Sequence, residues 1–303
     1  MKDQTFHIES TNLKAGLGNL VLKETYFPIF KVLKFMVSTS LLLAFNGVMV
    51  VVFGFLLDST TIVLPILFAA FLITFAVYGL NKFTDKAEDS INRPETLPRA
   101  PGYYLVFSIA SMAFGFLIGL MEGILAFFVL CAPVIIGVIY SVRISKSIPR
   151  LKEIVGVKSL VVAVSWALTG SLLPGSFCST NLQVSVIVFV FIFVRVFVGA
   201  TLCDVLDKKG DLASGVVTIP IRLGINKTKK LLVLLNSLLM LLPIYCLATG
   251  ILILFVPALL FGVLYGYLEI WHFFKRSCKR FTAGLMLDGE WIPIVVITCF
   301  LIR

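Results

Sequence analysis

The chain has 303 residues, 59% apolar and only 14% charged, with a mean hydropathy of +1.04, against ~45–50% apolar and ~25% charged in ordinary globular proteins. Long Val/Ile/Leu runs and 27 Phe leave no polar exterior, which excludes soluble, disordered, collagen-like and disulfide-scaffold classes and predicts an all-α integral membrane protein. The formal net charge of +10 follows from basic loops facing anionic headgroups and implies a bilayer, not nucleic acid, as partner.

The first 27 residues carry Lys2, Asp3, His7, Glu9, Lys14, Lys23 and Glu24 without a continuous apolar core, unlike a cleavable secretory signal. Nine apolar stretches follow, each near the roughly 20 residues a helix needs to cross hydrocarbon. They are 33–57, 61–82, 101–120, 122–142, 158–177, 182–206, 228–249, 251–273 and 283–302. Apolarity within them is continuous rather than alternating, which predicts helices and not a barrel.

Of the 26 Lys and Arg, all but Arg195 and Arg303 fall in the N-terminal segment or in the second, fourth, sixth and eighth connections. Basic residues are retained in the cytoplasm, so the N-terminus and these connections are expected there, with the C-terminus outside, in the cell membrane. The expected architecture is a single membrane domain, 1–303, around a central cavity. It comprises a four-helix unit at 1–157, a second resembling it at 158–274, and a ninth helix at 275–303. The six cysteines are scattered singly and only two histidines are present. No zinc site is expected, and the thiols read as packing residues.

Chemistry is concentrated at two helix ends. After the second span, Asn81, Asp85 and Asp89 stand at i, i+4, i+8, which drifts only about 40° per step and lines three oxygen-bearing side chains on one face. After the sixth, Asp204, Asp207 and Asp211 at i, i+3, i+7 do the same. Stacked carboxylates repel, and a hard divalent cation relieves that; Mg²⁺ takes one or two carboxylates per ion and completes its shell with water and phosphate oxygens. Two such faces opposed across a cavity would hold ions around a diphosphate. Each cluster alone also reads as a solvated helix end laced with Lys82, Lys86, Lys208 and Lys209. Both clusters end the second helix of a four-helix unit, and both precede a loop rich in turn residues and cations.

These residues resemble the UbiA superfamily of intramembrane prenyltransferases. Asn81, Asp85, Asp89, Asn92, Arg93 and Pro94 match its first signature, and Asp207, Asp211, Gly215, Thr218, Ile219 and Pro220 its second. The resemblance implies a Mg²⁺-dependent transferase that moves a prenyl group from an isoprenyl diphosphate, such as geranyl or geranylgeranyl diphosphate, to a lipophilic acceptor. The acceptor is an aromatic quinone precursor or a glycerol-phosphate ether lipid, among others. Asn81, Asp85 and Asp89 would hold one ion or ion pair, Asp207 and Asp211 the other, with Asp204 one turn deeper. Arg93 would contact diphosphate through its guanidinium fork, and Lys146 and Lys152 stand either as further contacts or as ordinary positive-inside residues. Tyr140 and Tyr78 would face a carbocation or sit in the interfacial aromatic belt. The chain departs from the family at Glu95–Pro101 and at Cys203–Leu206, which bears on the acceptor and not on the metal residues.

Arg195 is a charge inside an apolar span, about 2.5 turns before Asp204 and on the opposite side of the helix. A buried pairing with Glu269 is expected. Asp288 and Glu290, opening the ninth span, would approach the acceptor or the interface. The rival readings are a transporter, which would place paired charges on broken helices near the midplane, and a membrane phosphotransferase on CDP-alcohols, whose Asp-Gly-xx-Ala-Arg stretch is missing from this sequence.

Overall fold

The computed structural model describes residues 28–98, 100–141, 154–177, 181–275, 278 and 280–302. Among them the chain is helical and no strand occurs. Fourteen helices are distinguished: α1 (Pro28–Ser38), α2 (Leu41–Leu57), α3 (Leu64–Thr84), α4 (Lys86–Asn92), α5 (Pro101–Glu122), α6 (Ile124–Ser141), α7 (Val157–Gly175), α8 (Leu182–Ala213), α9 (Ile219–Leu223), α10 (Ile225–Leu238), α11 (Leu241–Thr249), α12 (Val256–Phe273), α13 (Arg280–Asp288) and α14 (Trp291–Ile302).

Among the described residues seven segments are long and apolar enough to cross a membrane: α3, α5, α7, α8, the α10–α11 pair, the Ile253–Phe273 segment that contains α12, and the α13–α14 pair. The predicted first span is broken, α1 meeting α2 at 75°. The break is at Ser40, whose φ of 61° lies in the left-handed region. The predicted fourth span is α6, whose apolar run Ile124–Ile139 is shorter than the others. The multi-pass helical architecture anticipated from hydropathy is present among the described residues.

Side chains facing lipid need no polar cover, and α5 and α6 display Phe107, Phe114, Leu117, Leu125 and Phe128 outward. Association between helices therefore depends on close packing rather than on escape from water. Gly54 of α2 lies against the backbone of Gly170 on α7, where any Cβ would collide with the carbonyl oxygen. Phe53, Phe191 and Trp291 form a triangle of rings with centroids 5.3–6.1 Å apart, joining α2, α8 and α14 at the core. Asn46 closes the same junction by accepting from Trp291 N at 2.9 Å. Around this core α2, α3, α7, α8 and the α13–α14 break line a large cavity.

Candidate active site

The first acidic motif is not on one smooth helix. α3 ends at Thr84, Asp85 takes φ −105° and ψ 18°, and α4 restarts at Lys86. The i→i−4 ladder nevertheless steps through the break, Asp85 N to Asn81 O at 2.8 Å, Asp89 N to Asp85 O at 2.9 Å and Arg93 N to Asp89 O at 2.7 Å. The expected shared face is thereby kept and extended by one turn to Arg93. The second motif lies wholly inside α8, which runs for 32 residues to Ala213. At 1.5 Å per residue that is about 48 Å, well beyond a hydrocarbon core of about 30 Å. Asp204, Asp207 and Asp211 occupy its last turns.

The two motifs meet at Gly210. Its backbone N–H donates to Asn92 Oδ1 at 2.8 Å, and a Cβ there would lie 2.6 Å from Glu88 O. Only glycine lets α4 lie so close against α8. Three residues earlier on α8, Asp207 receives the Arg93 fork, Nη2 to Oδ2 at 2.5 Å and Nε to Oδ1 at 3.3 Å. Arg280, opening α13, also pairs with Asp207 through Nη1 and donates from Nη2 to Leu206 O at 2.6 Å. On the other side of α8, Lys158 bridges Asp204 at 3.0 Å and Asp211 at 3.1 Å, and Ser159 Oγ donates to Asp204 Oδ2 at 2.9 Å.

Asn81, Asp85, Asp89, Arg93, Asp204 and Asp207 all line one cavity of about 590 Å³. Asp211 is not on that wall and is buried against Lys158, which is. Tyr78 lines the cavity and accepts from Trp166 Nε1 at 3.0 Å. Lys146 and Lys152 lie outside the described residues, as does the side chain of Tyr140. Burial pushes the Asp89 carboxyl up to about 6; Asp85 and Asp207 add to the rise while Arg93 and Lys82 oppose it.

Sequence reasoning did not find Arg280, Lys158 or Lys82 at the site, because one-sided basic loops hide functional cations among topological ones. Lys82, only 7% exposed, points back to donate to Ser38 O and to Thr96 O, the latter at 3.1 Å, which ties the α1 end to the loop after α4. Asp288 and Glu290 do reach the cavity. The anticipated Arg195–Glu269 pair is present at 2.5 Å, and Glu290 adds a third charge at 2.8 Å from the same guanidinium.

Among the described residues no three His, Cys, Asp or Glu side chains converge into a closed metal cage. Mg²⁺ does not require one, since it keeps several waters and uses substrate phosphates. Asn81, Asp85, Asp89, Asp204 and Asp207 bring hard oxygen atoms of the kind it takes to one cavity, with Asp204 and Asp207 ion-paired to Lys158, Arg93 and Arg280.

The fold matches solved structures. A UbiA homologue from Archaeoglobus fulgidus, described as bound to DMAPP and Mg²⁺, superposes with a TM-score of 0.65 at 13% identity, over 88% of this chain and 98% of that one. An apo UbiA homologue from Aeropyrum pernix K1 gives 0.65 at 14% identity, over 85% and 96%. A digeranylgeranylglyceryl phosphate synthase gives 0.56 at 17%, over 89% and 98%. No protein of curated function matches the chain by sequence. The model of the UbiA prenyltransferase family matches residues 35–286. With that match spanning most of its length and both acidic motifs on one cavity, the chain belongs to the UbiA prenyltransferase family, whose chemistry is prenyl transfer.

Proposed function

We propose that this enzyme moves an isoprenyl group from an allylic isoprenyl diphosphate to a lipophilic acceptor, an aromatic quinone precursor or a glycerol-phosphate ether lipid, with the cavity open to the cytoplasm. The observation that carries the reading is that two acidic motifs more than a hundred residues apart share one cavity with five cations, Lys34, Lys82, Arg93, Lys158 and Arg280. The homologues described as holding DMAPP or GPP with Mg²⁺ support the donor class.

Asn81, Asp85 and Asp89 would hold Mg²⁺ on one wall and Asp204 and Asp207 on the other. When bound, the ion supplies charge stabilisation to the diphosphate oxygens. Asp211 acts through Lys158, which it holds at the rim. The chemical step breaks the allylic C–O bond, and negative charge develops on the departing diphosphate. Arg93 and Arg280, each already directed at Asp207, and Lys158 are preorganised to stabilise it, with Lys146 and Lys152 as further cations of the fourth connection. Positive charge on the allyl group faces the Tyr78 ring, with Tyr140 in the same role. Apolar walls at Leu43, Val162 and Val196 keep water from trapping that cation. The acceptor nucleophile then bonds to the allylic carbon and gives up its proton.

The test is incubation of the purified protein with labelled geranylgeranyl diphosphate, Mg²⁺ and a panel of acceptors. Metal-dependent diphosphate release coupled to prenylated product supports the proposal; no release with any acceptor refutes it.

A further inference from the structure

A second, smaller cavity of about 70 Å³ adjoins the first, deeper in the helix bundle between α2, α3, α6 and α7. The two share four wall residues, Tyr78, Asn81, Val162 and Trp166. Across that common wall the Trp166 indole N–H donates to the Tyr78 hydroxyl at 3.0 Å. The two rings meet edge to face, centroids 6.3 Å apart at 68°. One hydrogen bond thus holds the two largest side chains of the wall side by side. Tyr78 on α3 precedes Asp85, the residue that follows that helix, by seven positions, which places the ring pair about 10 Å below the carboxylates at 1.5 Å per residue. The small cavity continues past it along the same helix to Thr74 and Ala70.

That inner space suits hydrocarbon. Its Ser165 and Thr169 hydroxyls already donate to carbonyls of their own helix, at 2.9 and 2.8 Å, and the remaining wall is mostly aliphatic or glycine. Its size takes about five water-sized groups, the carbon count of one isoprene unit.

We propose that the Tyr78–Trp166 pair is the partition that sets the chain length of the prenyl donor, with the inner cavity as a latent extension worth one isoprene unit. The inference rests on the reading above that the diphosphate lies among Asp85, Asp89, Arg93 and Asp207. In the wild-type chain the tail stops against the paired rings. Removing the indole merges the two cavities and lets the tail run on along α3.

The experiment measures the affinity of the full-length protein, with Mg²⁺, for dimethylallyl, geranyl, farnesyl and geranylgeranyl diphosphates. Wild-type affinity is expected to climb with length up to the donor that meets the rings and to gain nothing beyond it. In Trp166→Ala that limit moves one isoprene unit outward, the next longer donor binding at least about tenfold tighter than to wild type, a gain within what burying five carbons provides. Dimethylallyl diphosphate binds both proteins alike, which reports an intact site. Trp166→Ala combined with Gly137→Leu restores the wild-type limit, because position 137 lines the inner cavity and a Cβ there meets only Val77, at 3.9 Å. Should Trp166→Ala fail to fold, Trp166→Leu, which deletes the indole and its hydrogen bond to Tyr78 but keeps an apolar side chain on the wall, moves the limit the same way by a smaller factor. An unchanged ranking in a variant that still binds dimethylallyl diphosphate overturns the inference, as does a wild-type affinity that climbs through all four donors. Wild-type protein that binds none of the four overturns the diphosphate-site reading itself, and the inference with it.

Discussion

Replacing Gly210 by alanine tests whether the two motifs are held in one site by backbone proximity. In an ordinary helix interior the change is stabilising by about 1 kcal/mol, since alanine loses less conformational freedom. Here the new methyl lies 2.6 Å from the Glu88 carbonyl oxygen, a backbone atom that cannot rotate away. It also meets the Asn92 amide that accepts from Gly210 N at 2.8 Å. Overpacking of this kind costs about 1–3 kcal/mol, and weakening the hydrogen bond adds about 0.5–1.5 kcal/mol. After the propensity gain is subtracted, the expected net loss is about 1–3 kcal/mol, so Gly210→Ala lowers the thermal midpoint in detergent. Turnover falls by a larger factor, because α4 moves away from α8 and carries Arg93 off Asp207. Asn92→Ala supplies the second arm of a double-mutant cycle: the variants should be non-additive, since removing the amide relieves part of the clash. A Gly210→Ala protein as stable as wild type, or more so, would refute the close-approach argument.

Other consequences are as direct. Asp85→Ala and Asp207→Ala should each abolish Mg²⁺-dependent diphosphate release while the protein stays folded by circular dichroism; retained turnover in either removes the metal assignment. Arg195→Met leaves Glu269 and Glu290 buried without their guanidinium and should cost about 3–5 kcal/mol, read as a fall in thermal midpoint much larger than for Glu269→Gln. Asp58 follows the last residue of α2, with both carboxylate oxygens buried and unpartnered, and desolvation raises it from 3.8 to about 6. Its ionisation therefore penalises the folded state above pH 6 and not below pH 4. About 3 kcal/mol would correspond to that difference, cut to about 1 kcal/mol by solvent screening of a half-buried group. Asp58→Asn should stabilise the protein by that amount at pH 8, with the gain vanishing as the pH falls toward 4; a gain that persists at pH 4 would contradict it.

Much of the site was legible because its residues obey short spacings. Asn81, Asp85 and Asp89 needed only helical geometry to be placed on one face, and the ladder that carries them across the α3–α4 break shows why a change of helix did not spoil the spacing. Arg195 was recognisable as a charge that burial obliges to find a partner, and Glu269 was the acid at matching depth. The rest depended on distance in sequence. Nothing local marks Lys158 or Arg280 among two dozen basic residues that membrane topology already explains, and it took packing to bring them to Asp204 and Asp207. Asp211 shows the converse: its spacing matches the motif, but α7 turns it toward Lys158 and away from the shared wall. The bend at Ser40 was missed because no proline or glycine announces it, and the left-handed φ there is taken by a serine.

The unbroken course of α8 has a mechanical consequence. Arg195, clamped between Glu269 and Glu290, sits near the midpoint of this rod, about 20 Å from its start and about 18 Å from Asp207 at 1.5 Å per residue. The rod is therefore fastened at two levels, at its middle by Glu269 and Glu290 and at its acid-bearing end by Asn92, Lys158 and Arg280. Two fastenings on one stiff helix fix both its axial position and its rotation, so the direction in which Asp204 and Asp207 point is inherited from a charge cluster buried near the middle of the same helix.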